Sequence, residues 1–315
     1  MVRVCEDWFP NPKNPKKSGF YMNKTLKENI DALLKNASKK ADWDFVGIIS
    51  GRGQVRVGKS VLAMQIACYW IYMLEKLYGV KVPFSIKENI IFHGVELIRK
   101  GNKVGVKYPH SALIFDEAGA DLESTKVMRR TTQAVKDFLR ECGQYNMLTL
   151  LVLPDFFDLP KGIAISRSDF LIDCYALTDE KGIFRRGFYN AYNRKTKKHL
   201  YLKGKKFLDY DAHHWDFQGD YFEFYPFCEE EYRETKVKAL KTRAELSIKE
   251  LRMRAVIEGL TKHLKGLGYA NTKMTEVVKK ETGFRVSEIY FRRILKRSKE
   301  EEEDDEETGE EYTET

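Results

Sequence analysis

The sequence has no Cys-x-x-Cys pair, no histidines at metal-ligand spacing and no run of about 20 uninterrupted apolar residues. Its five cysteines, Cys5, Cys68, Cys142, Cys174 and Cys228, are scattered and odd in number. That pattern excludes a disulfide framework or a zinc ribbon and predicts reduced thiols in a reducing compartment. Residues 1–15 mix Glu6, Asp7 and lysines with prolines, without the apolar stretch of a secretion signal, so a cytoplasmic location is expected. The most apolar helix candidate, residues 61–78, is interrupted by Gln65, Glu75 and Lys76; it predicts a core helix and no membrane partner. His213 and His214 are adjacent and face apart on any regular element, and no Ser-His-Asp or Cys-His pattern stands out, so nucleophilic catalysis is not expected. No internal repeat is visible.

What is present is charge, unevenly placed. The chain carries a formal +8, yet residues 300–315 hold eleven Asp and Glu and no Lys or Arg, which leaves +19 on residues 1–299. A basic body suits a polyanion partner such as nucleic acid. The acidic run predicts a disordered tail. Aromatic residues are plentiful and the apolar fraction is ordinary, so neither global disorder nor a fibrous architecture fits.

Residues 1–40 read as an arm followed by a helix over 23–39, with Leu26, Ile30, Leu33 and Leu34 at helical spacing. Residues 41–228 read as the main domain. Within it, apolar runs at 45–49, 90–92, 112–115, 148–153 and 170–176 alternate with helical stretches at 60–78, 94–100 and 131–142, the pattern of a parallel sheet covered by helices. Residues 183–192 and 199–202 flank the basic stretch 193–198 and predict an antiparallel hairpin with a basic turn. The aromatic segment 215–227 is expected to pack on the core. Residues 229–249 read as a charged helical linker.

The segment Gly53, Gln54, Val55, Arg56, Val57, Gly58, Lys59, Ser60 satisfies G-x-x-x-x-G-K-S between a predicted strand and a predicted helix. The glycines let backbone N–H groups turn toward phosphates, and the helix start adds a positive partial charge. Lys59 reaches the β and γ phosphates and the Ser60 hydroxyl binds Mg²⁺. The expected ligand is a nucleoside triphosphate, ATP with Mg²⁺. At the end of the apolar run 112–115 stand two carboxylates: Asp116 for the metal, and Glu117 as the general base that polarises water. That second acid points to hydrolysis, hence an ATPase.

On these motifs, with Arg140 and Gly143 (Arg-x-x-Gly) before the fourth strand and antiparallel strands after the fifth, residues 44–203 resemble the FtsK–HerA superfamily of P-loop ATPases. That superfamily includes DNA translocases, viral packaging ATPases and zonular-occludens-toxin-like phage proteins. The resemblance implies an α/β fold with a RecA/ASCE-like parallel sheet and an antiparallel hairpin. It also implies a homo-oligomer, commonly a hexameric ring, in which Arg140 serves the neighbouring subunit's γ-phosphate as an arginine finger, with Arg129, Arg130 and Arg167 as competitors. Where the family often ends its fourth strand in Gln, this chain has Leu153, Pro154 and Asp155; either Asp155 senses the γ-phosphate or the sensor is absent.

Residues 250–299 read as a small all-α, helix-turn-helix-like domain joined through Thr282, Gly283 and Phe284. Its expected core is Leu260, Leu264, Met274, Val277, Val278, Val286, Ile289, Tyr290, Ile294 and Leu295, with Ser287 at the start of the third helix. Arg285, Arg292, Arg293, Lys296 and Arg297 are the expected contacts to double-stranded DNA. The resulting reading is a DNA translocation or packaging ATPase. The alternatives are a replication initiator or helicase loader, and a non-enzymatic, ATP-gated DNA-binding regulator.

Overall fold

A computed structural model of the chain describes residues 1–37, 43–122, 130–283, 286–292 and 294–295. Stretches 45–50, 112–115 and 148–152 contain no charged residue and are buried throughout, so they form interior strands. The main sheet comprises β3 (Phe45–Ser50), β4 (Ile90–Ile91), β5 (Ala112–Phe115), β6 (Leu148–Val152), β7 (Phe170–Thr178), β8 (Phe184–Tyr192) and β9 (Phe217–Asp220). Their order is β4-β5-β6-β3-β7-β8-β9; the first five are parallel, and β8 and β9 continue antiparallel. Preceding them, β1 (Val2–Val4) and β2 (Phe20–Met22) form a separate antiparallel ribbon.

Period-two alternation sorts the strand residues onto two faces. Phe45, Ile49, Ala112 and Ile114 join one apolar cluster; Val46, Ile48, Leu113 and Phe115 join the other. The first face is covered by α1 (Lys24–Asn36), capped by the Asn23 side chain, and α2 (Lys59–Tyr78). Largely apolar, α2 is buried from Val61 to Tyr72, Gln65 included, and its Trp70 indole donates to the His110 carbonyl at 2.8 Å. Two short helices, α3 (Ile86–Asn89) and α5 (Gly119–Leu122), flank β4 and β5, while α4 (Gly94–Lys107) and α6 (Arg130–Glu141) contribute to the second cluster.

The five strands and three intervening helices expected from periodicity are present, but the basic stretch is not a hairpin turn. It opens α7 (Arg194–Gly204): the Asn193 side chain accepts from Lys195 and Thr196 N–H, and Lys197, Leu200, Tyr201 and Gly204 recur on the buried face. The antiparallel hairpin is instead β7–β8, closed by Asp179, whose carboxylate accepts from Ile183 N–H. An asparagine cap ahead of a 3,4-spaced apolar set was the available signal, hidden by the density of lysines.

Contacts divide the chain into Met1–Ala239 and Leu240–Thr315. The division falls inside α8 (Glu229–Gly266), whose first part, residues 229–249, is the stretch expected to be a charged helical linker. The second unit has its own core of Ile257, Leu264, Met274, Val278, Val286 and Phe291 around the end of α8 and α9 (Asn271–Thr282). Ile289, expected in that core, is 64% exposed; Phe291 takes the interior place on the turn that follows Ser287. Arg292 is exposed, whereas Arg285, Arg293, Lys296, Arg297 and the tail 300–315 lie outside the described residues. No helix among the described residues is long and apolar enough to cross a membrane.

Candidate nucleotide and metal site

The glycine-rich loop spans the gap between β3 and α2. Its backbone needs several residues at positive φ: Arg52, Gly53, Arg56 and Gly58. At Gly58 a side chain is doubly excluded, because φ is +93° and a Cβ would lie 2.5 Å from the Tyr221 hydroxyl. The loop hangs from the end of β6: Gly51 and Gly53 N–H both donate to the Pro154 carbonyl, at 3.0 and 2.9 Å. From the aromatic segment, the Tyr221 hydroxyl donates to the Val57 carbonyl at 2.7 Å, so that segment supports the loop as well as filling core. Lys59 begins α2 and donates to the Gln54 carbonyl, closing over the loop. Burial holds its pKa below the ordinary lysine value, against the opposing pull of Glu117 and Asp116.

Across β6, the end of β5 presents the two acids. Asp116 is buried, and its Oδ1 accepts from the Ser60 hydroxyl at 3.1 Å and from Glu117 N–H at 3.0 Å. Glu117 stands at φ +59°, with the next residue, Ala118, donating its N–H to the Val152 carbonyl at 2.8 Å. Chain positions 56 residues apart thus meet at a serine hydroxyl and a carboxylate.

Two side chains that no sequence signal singled out complete the cluster. On α8 the Tyr232 hydroxyl donates to Asp116 Oδ2 at 2.5 Å, and Lys236 Nζ lies 3.1 Å from the same oxygen and 2.8 Å from Glu117 Oε1. Burial and then Asp116 raise the Tyr232 pKa. Burial opposes the charge on Lys236, but Asp116, Tyr232 and Glu117 outweigh it and hold its pKa above the ordinary value.

Arg140 stays apart from this cluster. Its side chain is 67% exposed at the end of α6 and pairs with Asp137 at 3.6 Å. Arg167 is spoken for within the fold, bonded to the Asp44 carboxylate, the Leu139 carbonyl and Cys142 Sγ. The Arg130 backbone opens α6, and Arg129 lies outside the described residues. Asp155 caps the turn after β6 with Oδ1, which accepts from Phe157 N–H and from the Tyr210 hydroxyl; Oδ2 lies 3.7 Å from where a Gly53 Cβ would be.

Beside the loop, Arg52 Nε donates to Asp173 Oδ2 at 2.7 Å, with the guanidinium over the Tyr175 and Tyr210 rings. Asp173 is fully buried, and burial pushes its pKa up to about 7 against the opposing pull of Arg52. In the unfolded chain this carboxyl ionises near pH 3.8, whereas in the fold it keeps its proton to about 7. The native state therefore binds the extra proton between those values, and this group's contribution to stability falls as pH rises through that window. Denaturant melts at pH 5 and pH 8 are expected to show a component of up to about 3 kcal/mol that is absent from Asp173→Asn. An unchanged pH profile in the variant excludes the assignment.

No family model and no curated protein matches the chain. Among solved structures, the chain is similar to the genome packaging NTPase B204 from Sulfolobus turreted icosahedral virus 2 in complex with AMPPCP. The identity is 14%, over 49% of this chain and 94% of that one, with a TM-score of 0.32. It is likewise similar to B204, the DNA-packaging ATPase from Sulfolobus turreted icosahedral virus, at 17% identity over 50% of this chain and 95% of that one, with a TM-score of 0.33.

Proposed function

We propose that the chain is a Mg²⁺-dependent ATPase that moves or remodels double-stranded DNA in the manner of the FtsK–HerA superfamily, in viral genome packaging or transfer of a mobile element. The observation that carries the ATPase reading is the meeting of Ser60 Oγ and Asp116 Oδ1 at 3.1 Å, which brings the neighbours of these residues, Lys59 and Glu117, into electrostatic reach of each other. Two hard oxygens at that separation fit neighbouring positions of an octahedron with metal–oxygen distances of about 2.0–2.1 Å. Ser60 and Asp116 would hold Mg²⁺, which neutralises phosphate charge when bound. The loop N–H groups and Lys59 orient the phosphates, and the Glu117 carboxylate accepts the proton of the water that attacks the γ-phosphorus, releasing ADP and phosphate. Arg140, exposed and outside the chain's own cluster, is suited to a neighbouring subunit's γ-phosphate, which makes a ring the functional form.

Support for a polyanion partner comes from α7 as well as from the second unit, which we read as the helix-turn-helix module with Arg292 as a DNA contact. Lys195, Lys198, Lys203 and Lys206 are exposed on and just after α7 and have no acidic partner among the described residues. Partial burial first, and then the neighbouring His213, Lys203, Lys195 and Lys198, depress the pKa of His199.

Steady-state ATP hydrolysis with double-stranded DNA of increasing length tests the reading. Turnover that rises with length is expected for a motor; turnover indifferent to DNA favours the loader or the ATP-gated regulator. Replacing the four lysines by glutamine is expected to make the logarithmic salt dependence of DNA binding shallower by up to about 3.6. An unaltered slope removes α7 from the interface.

A further inference from the structure

Tyr232 and Lys236 lie four residues apart, on one face of α8, and that face covers the acidic pair. Each oxygen of Asp116 has a separate role. Oδ1 faces the Ser60 hydroxyl, and Oδ2 is taken by the Tyr232 hydroxyl and the Lys236 ammonium. Lys236 also bridges to Glu117, so one ammonium balances two adjacent carboxylates. It is only 24% exposed. None of the hydrolysis chemistry argued above uses either side chain.

We propose that Tyr232 is the positioning residue that turns Asp116 Oδ1 toward Ser60, and that Lys236 is the resident counter-cation of the acidic pair, against which Mg²⁺ binds. This inference rests on Asp116 being the metal-holding acid. A divalent cation between Ser60 and Oδ1 delivers positive charge to a buried carboxylate that already carries an ammonium on Oδ2, and the two cations repel across it. Linkage then requires reciprocity: metal at Asp116 weakens the hold of Lys236, and with it of α8, on the acidic pair, and that ammonium weakens the metal by the same factor. The nucleotide site thereby acquires a mechanical output, since the residues that read the metal sit on the helix that leaves the ATPase core.

The test is a Mg²⁺ titration of the binding of a fluorescent, non-hydrolysable ATP analogue. Lys236→Met is expected to lower the Mg²⁺ midpoint about tenfold, Lys236→Arg to leave it near the wild-type value, and Tyr232→Phe to raise it. A midpoint in Lys236→Met that is unchanged or raised overturns the proposal, a rise being the result if Lys236 merely positions Asp116. The wild-type fold supplies a second readout. Cys228, just ahead of α8, is the exposed cysteine, whereas Cys5, Cys68, Cys142 and Cys174 are buried. An environment-sensitive label on Cys228 is expected to change emission when Mg²⁺ and analogue are added together, and not with analogue alone; no change with metal also overturns the proposal. Asp116→Asn separates the two readings: a wild-type Mg²⁺ midpoint in that variant removes Asp116 from the metal site itself, whereas a lost Mg²⁺ response combined with an indifferent Lys236→Met fails the α8 proposal alone.

Discussion

Glu117→Gln is expected to bind Mg·ATP as the wild type does and to hydrolyse it about 10²–10⁴-fold more slowly, the usual contribution of a positioned general base. Glutamine matches glutamate in size and preserves the backbone, but its amide cannot accept the water proton. The position is held for a purpose: a non-glycine residue at φ +59° costs about 1–2 kcal/mol, and the Ala118 N–H to Val152 carbonyl bond keeps the turn in place. Phosphate release at saturating ATP, with analogue binding measured on the same preparation, decides it. A loss under tenfold strips Glu117 of the role, and an equal loss of binding turns the effect into a structural one.

Arg167→Ala is expected to cost about 3–5 kcal/mol of stability, the range for breaking a buried ion pair by removing one partner. Asp44 and Arg167 are both largely buried, and the guanidinium ties the segment before β3 to the end of α6 through the Leu139 carbonyl and Cys142. Without it the Asp44 carboxylate keeps, among the described residues, the distant Cys142 thiol at 3.9 Å. At roughly 2–4 °C per kcal/mol for a unit of this size, the melting temperature falls by about 6–20 °C. Arg140→Ala, by contrast, changes an exposed side chain and is expected to stay within about 0.5 kcal/mol of wild type while lowering turnover. An Arg167→Ala protein that melts normally and yet fails to turn over reverses the assignment of the two arginines.

Much of the α/β core is legible in the sequence because its signals are local. The conformations of Gly53 and Gly58, the start of α2 at Lys59 and the apolar strand that ends in Asp116 and Glu117 each depend on near neighbours. Two local readings failed. The lysines of α7 hid an asparagine-capped helix, and Ile289, expected in the core of the second unit, is exposed while Phe291 fills the interior place.

By itself, then, the sequence determined a glycine-rich loop between a strand and a helix, a buried strand that ends in two acids and the alternation of strands and helices, all encoded within windows of a few residues. Only the tertiary structure decided that Pro154 suspends the loop, that Tyr221 holds the Val57 carbonyl, that Arg167 serves the fold, and that Tyr232 and Lys236 cover Asp116. The physical reason is distance along the chain. Tyr232 and Lys236 lie 116 and 120 residues from the carboxylate they meet. On a long charged helix, a Tyr and a Lys four apart read as one more solvated face until the path of the chain brings the acids against them.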